Sequence, residues 1–120
     1  MDTKNTKRFD LDERTFKFAK NCRDFCYILS KTIANIEDCK QLIRSSGSVA
    51  ANYIEASESL SKKDFIMRIK ICRKEAKESC LWLRLCNVAT KSEALSKRDA
   101  LIQESIELTK IFGSILEKCK

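Results

Sequence analysis

The chain contains no proline and only two glycines, Gly47 and Gly113, among its 120 residues. Sheets and loop-rich folds need many turn residues, because tight turns require the backbone conformations that glycine and proline supply. A chain of this length also fits one domain with one hydrophobic core. The depletion therefore predicts a single all-α domain, residues 1–120, in which long helices are joined by short links.

Apolar side chains recur at helical spacing in four segments, which predict helices at about residues 12–30, 36–59, 62–88 and 97–118. Long helices with short links pack beside their neighbours in opposite directions, so the predicted fold is an antiparallel up-and-down four-helix bundle. The predicted core positions are Leu11, Thr15, Phe18, Cys22, Phe25 and Leu29 in the first helix, Ile36, Cys39, Ile43, Ser46, Ala50, Tyr53, Ser57 and Leu60 in the second, Phe65, Ile69, Cys72, Ala76, Ser79, Leu83 and Cys86 in the third, and Leu101, Ser105, Leu108, Phe112, Ile115 and Cys119 in the fourth.

Capping residues mark the expected beginnings of three helices. Asn35 is expected to cap the second helix, since asparagine is a favourable N-cap residue. Ser61 with Asp64, and Ser96 with Asp99, have the spacing of a capping box for the third and fourth helices.

Two further segments carry structural expectations. The first nine residues are expected to form a mobile or docked tail, as chain ends often do. The small residues at 45–48, in the second helix, are expected to let a neighbouring helix come close, despite the helix penalty of about 1 kcal/mol that glycine carries.

The cysteines and the absence of long apolar runs favour a cytoplasmic location. The seven cysteines are odd in number and several fall at core positions, so they are interpreted as reduced, buried thiols. The segment from Met1 to Phe9 lacks the apolar stretch of a secretory signal. No segment has the apolar length of a membrane span, so no membrane partner is expected.

No metal site is expected. The minor alternative is that the thiolates of Cys22 and Cys26 bind a metal ion.

The third helix carries a second apolar line opposite its core positions, formed by Met67, Ile71, Leu81 and Leu85. We name these four residues the outer apolar stripe. A line of exposed apolar groups is typical of an interaction surface, and here it favours contact with another copy of the chain. The alternative is that the fourth helix or the N-terminal tail covers the stripe within one molecule.

Beside that stripe the third helix carries a series of cations. Lys63, Lys70, Lys77 and Arg84 recur every seven residues, and two neighbours, Arg73 and Lys74, lie alongside. We name these six residues the basic line. The formal net charge of +7 agrees with an anionic partner.

Two interpretations of the basic line remain open. It is either a solvated face with local ion pairs to Glu75 and Glu78, or a contact surface for a phosphate backbone. Few aromatic side chains accompany the line. Nucleic-acid binding there would therefore be backbone-directed and salt-sensitive rather than based on stacking.

The sequence offers little catalytic chemistry. It has no histidine, and neither a glycine-rich phosphate loop nor a nucleophile motif occurs in it. Glu55 with Glu58, and Glu75 with Glu78, resemble the carboxylate pairs of magnesium-dependent nucleotide pyrophosphatases. An offset of about eight residues around the hairpin separates the pairs by roughly 12 Å, which disfavours a shared site. We therefore expect no enzyme activity, catalytic residue or cofactor, with such a pyrophosphatase as a weak alternative.

Several stretches resemble one known family: Lys40 to Ala56, Ser61 to Phe65, Ile69 to Ser79, and Trp82 with Leu83. Together they are similar to the bacterial four-helix-bundle proteins encoded in intervening sequences of 23S ribosomal RNA genes, also called S23 ribosomal proteins. The cysteines at positions 22, 26, 80 and 86 are individual to this chain.

This resemblance implies a four-helix bundle that assembles into a ring-shaped homopentamer, with no enzymatic activity attached to the family. It also implies kinship with the accessory variability determinant of diversity-generating retroelements, a basic pentamer that binds a reverse transcriptase and nucleic acid. No mark specific to retroelements occurs in this chain, so that role is not transferred whole.

The sequence and the resemblance together predict a non-enzymatic, oligomeric module associated with RNA or nucleoprotein. The basic line would contact nucleic acid and the outer apolar stripe would form the oligomer interface. The alternative is a structural adaptor that binds an acidic protein, such as a reverse transcriptase, without direct contact to nucleic acid.

Overall fold

A computed structural model describes the backbone of residues 3–120 and the side chains from Leu11 onward. It contains four α-helices, namely α1 (Thr3–Ile28), α2 (Ile33–Ser57), α3 (Lys62–Leu85) and α4 (Ser92–Lys118). No strand occurs in this described part. Each helix contacts the next one along the chain, and α1 also contacts α4. The predicted all-α fold with four helices is confirmed.

The core positions predicted in α1, α3 and α4 are confirmed. All six positions in α1 are buried, with Phe18 and Phe25 almost fully enclosed. In α3 the positions from Ile69 to Cys86 are buried, and in α4 those from Leu101 to Phe112 are buried. The remaining predicted positions of α3 and α4 are half-buried. A helical spacing of apolar residues therefore identified the inward faces of three helices.

The core positions predicted for α2 are confirmed only in part. Ser46 and Tyr53 are buried as predicted, and the other predicted positions are half-buried or exposed. Its buried apolar side chains are led by Leu42, Val49 and Ala56, whereas Leu60, a predicted core residue, is fully exposed. Ile36, another predicted core residue, is 40% exposed. The cause is that α2 has apolar residues at adjacent positions, such as Leu42 with Ile43, so a second helical register fits its sequence as well.

Three helices begin earlier than their patterns predict, and α2, which begins at Ile33 rather than at residue 36, differs least. The backbone of residues 3–9, expected to be a tail, is already helical, while residues 1 and 2 lie outside the described part. The fourth helix begins at Ser92, so Ser96 lies inside it and is not its cap. The first turn of α4 is held instead by burial of Ala94 and by the amide of Leu95, which donates to the Lys91 carbonyl. The predicted cap of α3 is confirmed, since the Ser61 hydroxyl accepts from the Asp64 amide at 3.1 Å.

Asn35 does not cap α2. Thr32 does, because its hydroxyl accepts from the Asn35 amide at 3.1 Å. The buried Asn35 side chain donates through Nδ2 to the carbonyls of Ser30, at 3.1 Å, and Asn87, at 2.9 Å. Its Oδ1 accepts from the Asn87 amide at 2.9 Å. One side chain thereby ties the α1–α2 link to the α3–α4 link at the same end of the bundle.

The small residues in the middle of α2 do allow close packing, as expected. The hydroxyls of Ser45 and Ser79 lie 2.8 Å apart in the interior, which brings the axes of α2 and α3 together. Gly47 faces α1 instead, where a Cβ atom would lie 3.5 Å from the guanidinium of Arg23. The serines therefore accommodate one neighbouring helix and the glycine accommodates a long side chain from the other.

All seven cysteines carry free thiols, and four of them are buried. Burial is the main cause that raises the pKa of Cys22, Cys72 and Cys86 from 9.0 to about 12. The pKa of Cys26 is raised too, first by burial and then by the neighbouring thiol of Cys39. These thiols are therefore protonated and poorly reactive at neutral pH.

Neither a metal cluster nor a membrane span is found in the described part of the chain. From Leu11 onward, no three cysteine, aspartate or glutamate side chains are grouped so as to hold a metal ion. No described helix combines the length and the hydropathy needed to cross a bilayer.

Replacing Asn35 tests the connection between the two links. Asn35→Ala removes three hydrogen bonds and leaves buried backbone groups unpaired, so we expect the free energy of unfolding to fall by about 2–4 kcal/mol. Thr32→Ala, the matched control, loses one cap and should cost about 1 kcal/mol. Urea denaturation measures both. Equal losses in the two variants would contradict the role given to Asn35.

The buried thiols predict a loss of stability at alkaline pH. Because the folded chain holds these protons more tightly, the unfolded chain releases them first as the pH rises above 9. The stabilisation that these protonated thiols contribute is fully present below pH 9 and is lost as the pH rises towards 12. We expect the urea midpoint to decrease from about pH 8 to pH 10. Cys72→Ala should make that decrease smaller, even though the smaller side chain destabilises the core at pH 7. An unchanged slope in Cys72→Ala would refute this cause.

Candidate nucleic-acid interface

The basic line lies along one flank of α3. Residues seven apart almost superpose on a helix, with a drift of about 20° for each heptad. Lys63, Lys70, Lys77 and Arg84 are all exposed and turn progressively along the helix, and the later members face α4. The line therefore runs obliquely from the outside of α3 into the groove between α3 and α4.

Two adjoining depressions form this groove. Lys70 and Arg73 line a depression of about 720 Å³, whose opposite wall is the C-terminal half of α4. Lys77 and Arg84 line a second depression of about 370 Å³. Thr109 and Lys110 of α4 line both, which makes the two continuous. We name this surface the α3/α4 groove, and it gathers four of the six predicted cations.

Arg73 lies beside Gly113 of α4. A Cβ atom at Gly113 would be 3.6 Å from the Nε atom of Arg73, which is an ordinary van der Waals distance. Gly113 is thus a point on α4 at which a cation of α3 approaches the facing helix.

Two cations of the groove come from the α4 side and did not follow from the sequence pattern. Lys110 lines both depressions and Lys120 lines the larger one. Glu117 also lines the larger depression, and its carboxylate lies 3.0 Å from the Lys120 ammonium. The positive charge of the groove is therefore partly neutralised at the end where Lys120 lies. Lysines of α4 follow no heptad repeat, so periodicity gave no signal for them.

Two members of the basic line lie outside the groove. Lys63 is exposed in the first turn of α3. Lys74 turns towards the outer apolar stripe, and its ammonium lies 3.7 Å from the carboxylate of Glu75. The ammonium is exposed whereas the carboxylate is largely buried, and Lys74 fits the interpretation of a local ion pair.

The four glutamates considered for metal-dependent catalysis are not brought together. Glu55 and Glu58 are exposed on α2. Glu75 is half-buried, and burial, followed by the negative charge of Glu78, raises the pKa of its carboxyl. No group of three or more acidic or thiol side chains converges within the described residues.

The outer apolar stripe remains largely uncovered in one molecule. Met67 and Leu81 are each 46% exposed and Leu85 is 54% exposed, while Ile71 is half-buried. The fourth helix therefore does not cover the stripe. Ile106 of α4 is also exposed and lines the groove beside Leu81, so the apolar surface extends onto α4. The alternative that the N-terminal tail covers the stripe concerns the side chains of residues 1–10, which lie outside the described part.

Comparisons with known proteins point to one family. The model of the 23S rRNA-intervening sequence protein family matches residues 7–114. A solved structure of a protein of unknown function from the S23 ribosomal protein family, from Bacteroides thetaiotaomicron VPI-5482, is 26% identical. The match covers 92% of this chain and 98% of that one, with a TM-score of 0.76. No curated protein sequence matches significantly.

Proposed function

The chain belongs to the family of 23S rRNA-intervening sequence proteins, and from that premise we propose that it is a non-enzymatic, oligomeric RNA-binding module of the cytoplasm. The observation that carries the proposal is the α3/α4 groove, where cations from two helices converge. The residues proposed to contact phosphates are Lys70, Arg73, Lys77, Arg84 and Lys110.

Electrostatics gives the mechanism. Each phosphate that a lysine or arginine neutralises releases condensed counterions, so affinity depends steeply on salt. Five contacts predict a slope of log K against log salt of about −3.5 for single strands. Among the described side chains, no phenylalanine, tyrosine or tryptophan lines either depression, so binding in the groove is directed at the backbone and tolerates any sequence.

Removing charge from the groove tests nucleic-acid binding. Lys77→Gln with Arg84→Gln should weaken binding to a structured RNA by about tenfold or more at low salt and reduce the magnitude of the slope by about 1.4. The matched control, Lys17→Gln with Lys97→Gln, removes the same charge from exposed positions elsewhere and should change both less. Fluorescence anisotropy at several salt concentrations measures affinity and slope. Absence of binding by the unmodified protein at low salt would dismiss the proposal.

We further propose that the outer apolar stripe joins copies of the chain into a ring-shaped homo-oligomer, which the family resemblance suggests is a pentamer. The support is the exposure of three large apolar side chains on one line of α3. A monomeric bundle has no use for this second apolar face, because its other face already packs inward.

Substitutions in the stripe test this assembly. Met67→Ser with Leu85→Ser should convert the oligomer into a monomer in multi-angle light scattering, because each change removes apolar area from the contact. Ile33→Ser with Leu60→Ser is the control, since these side chains are even more exposed and lie away from the stripe. A monomeric unmodified protein at high concentration, or dissociation by the control alone, would contradict the proposal.

An acidic protein is the alternative partner for the same cations. The sequence resemblance to accessory variability determinants suggests a reverse transcriptase as one example. Affinity capture before and after nuclease treatment separates the two cases. A partner protein retained after nuclease treatment, together with no affinity for purified RNA, would favour the adaptor.

A further inference from the structure

The outer face of α1 carries aromatic and cationic side chains on one line. Phe16, Lys20, Arg23 and Tyr27 follow one another at steps of four, three and four residues, which places them on one side of the helix. Phe16 is 61% exposed and Tyr27 is 77% exposed. Two aromatic rings thus project into solvent with cations between them, a pattern that the α3/α4 groove lacks.

A crevice opens beside Tyr27, between α1 and the first turns of α2. It has a volume of about 190 Å³, and Ile36, Cys39 and Ile43 provide apolar groups in its lining. Lys31 and Lys40 are exposed and also line it. Small-molecule pockets usually measure about 300–1,000 Å³, so this crevice suits one flat ring and not a whole ligand.

Positive charge surrounds this crevice. Arg23 reaches from α1 across Gly47 of α2, and its Nη1 donates to the Ala19 carbonyl at 3.3 Å. No carboxylate among the described side chains pairs with Arg23, Lys31 or Arg44.

The remaining two cations of this face are ion-paired at the surface. The ammonium of Lys20 lies 3.0 Å from Asp24, and that of Lys40 lies 3.5 Å from Glu37. All four side chains are about half exposed or more, so the two ion pairs are readily exchanged for contacts with a phosphate.

We propose that this α1/α2 face binds an unpaired, single-stranded segment of nucleic acid by base stacking. One base lies on Tyr27 at the crevice and another stacks on Phe16, while Arg23 and Lys31 contact phosphates. The two aromatic residues are eleven positions apart, or about 16 Å along the helix. That distance corresponds to about five nucleotides at the stacked spacing of 3.4 Å. The inference rests on the proposed function and gives it a substrate class, namely RNA with an unpaired segment.

Interleaved aromatic rings and cations favour nucleic acid over a protein partner on this face. Every base offers a π-face to an aromatic ring, and arginine adds cation–π attraction, so stacking needs no sequence preference. A second copy of the chain would instead match a continuous apolar surface, and here the two rings are separated by charged residues. The α1/α2 face would therefore supply base contacts and the α3/α4 groove backbone contacts.

The test compares single-stranded and duplex RNA. Phe16→Ala with Tyr27→Ala should weaken binding of a 12-nucleotide oligouridine by about tenfold or more at fixed salt, with an unchanged salt slope and unchanged affinity for an RNA duplex. Tyr27→Phe keeps the ring and should bind as the unmodified protein does. Ile54→Ala with Leu60→Ala is the control for loss of exposed apolar area. An oligouridine that contains 4-thiouridine should crosslink to the peptide that contains Tyr27.

The outcomes separate this inference from the function on which it rests. If Phe16→Ala with Tyr27→Ala binds oligouridine normally while Lys77→Gln with Arg84→Gln does not, the inference fails and the proposed function stands. If the unmodified protein binds no RNA, both fail. If light scattering shows that the aromatic double variant has lost its oligomeric state, the face is a contact between copies and the inference is overturned.

Discussion

The side-chain amide of Asn35 fixes the position of one half of the bundle relative to the other. Each half is a helical hairpin, α1 with α2 and α3 with α4, and the links of both hairpins lie at the same end. The Asn35 side chain uses both amide donors and its carbonyl oxygen on the backbone of these links. Because a buried amide with unpaired groups is costly, this arrangement favours a single relative position of the hairpins. Asn35 also lines the crevice between α1 and α2, so it shapes one of the two candidate binding surfaces directly.

Ion pairs between α1 and α4 explain why the α3/α4 groove is positive. The Arg14 guanidinium lies 2.7 Å from Glu104 and 3.5 Å from Glu107, both on α4. These carboxylates therefore face α1, on the opposite side of α4 from the groove. Lys110 is left to face α3, beside Lys77. A chain with 17 acidic residues thus presents a groove whose charged lining residues are cations apart from Glu117, because part of its negative charge is engaged elsewhere.

Sequence periodicity predicted features that depend on one helix alone, such as its inward face. It did not predict features that depend on contacts between helices. The inward faces of α1, α3 and α4 follow from one apolar stripe each, but in α2 adjacent apolar residues such as Leu42 and Ile43 left the register ambiguous. Asn35 is of a residue type that often caps helices, yet its role depends on a hydrogen bond to Asn87, 52 positions away. Lys110 joins the groove through the relative shift of α3 and α4, which the spacing within either helix does not encode. The basic line on α3 was predicted, but its opposite wall was not.

The position of Leu81 links the proposed assembly to the proposed binding. Its side chain belongs to the outer apolar stripe and also lines the α3/α4 groove beside Arg84. A neighbouring subunit on the stripe would therefore border the groove and exclude water from its rim, which strengthens the attraction between its cations and a phosphate. A ring would also repeat the groove on every subunit. Contacts that are weak and screened in one molecule would then act on one RNA at high effective concentration, so assembly itself would supply much of the affinity.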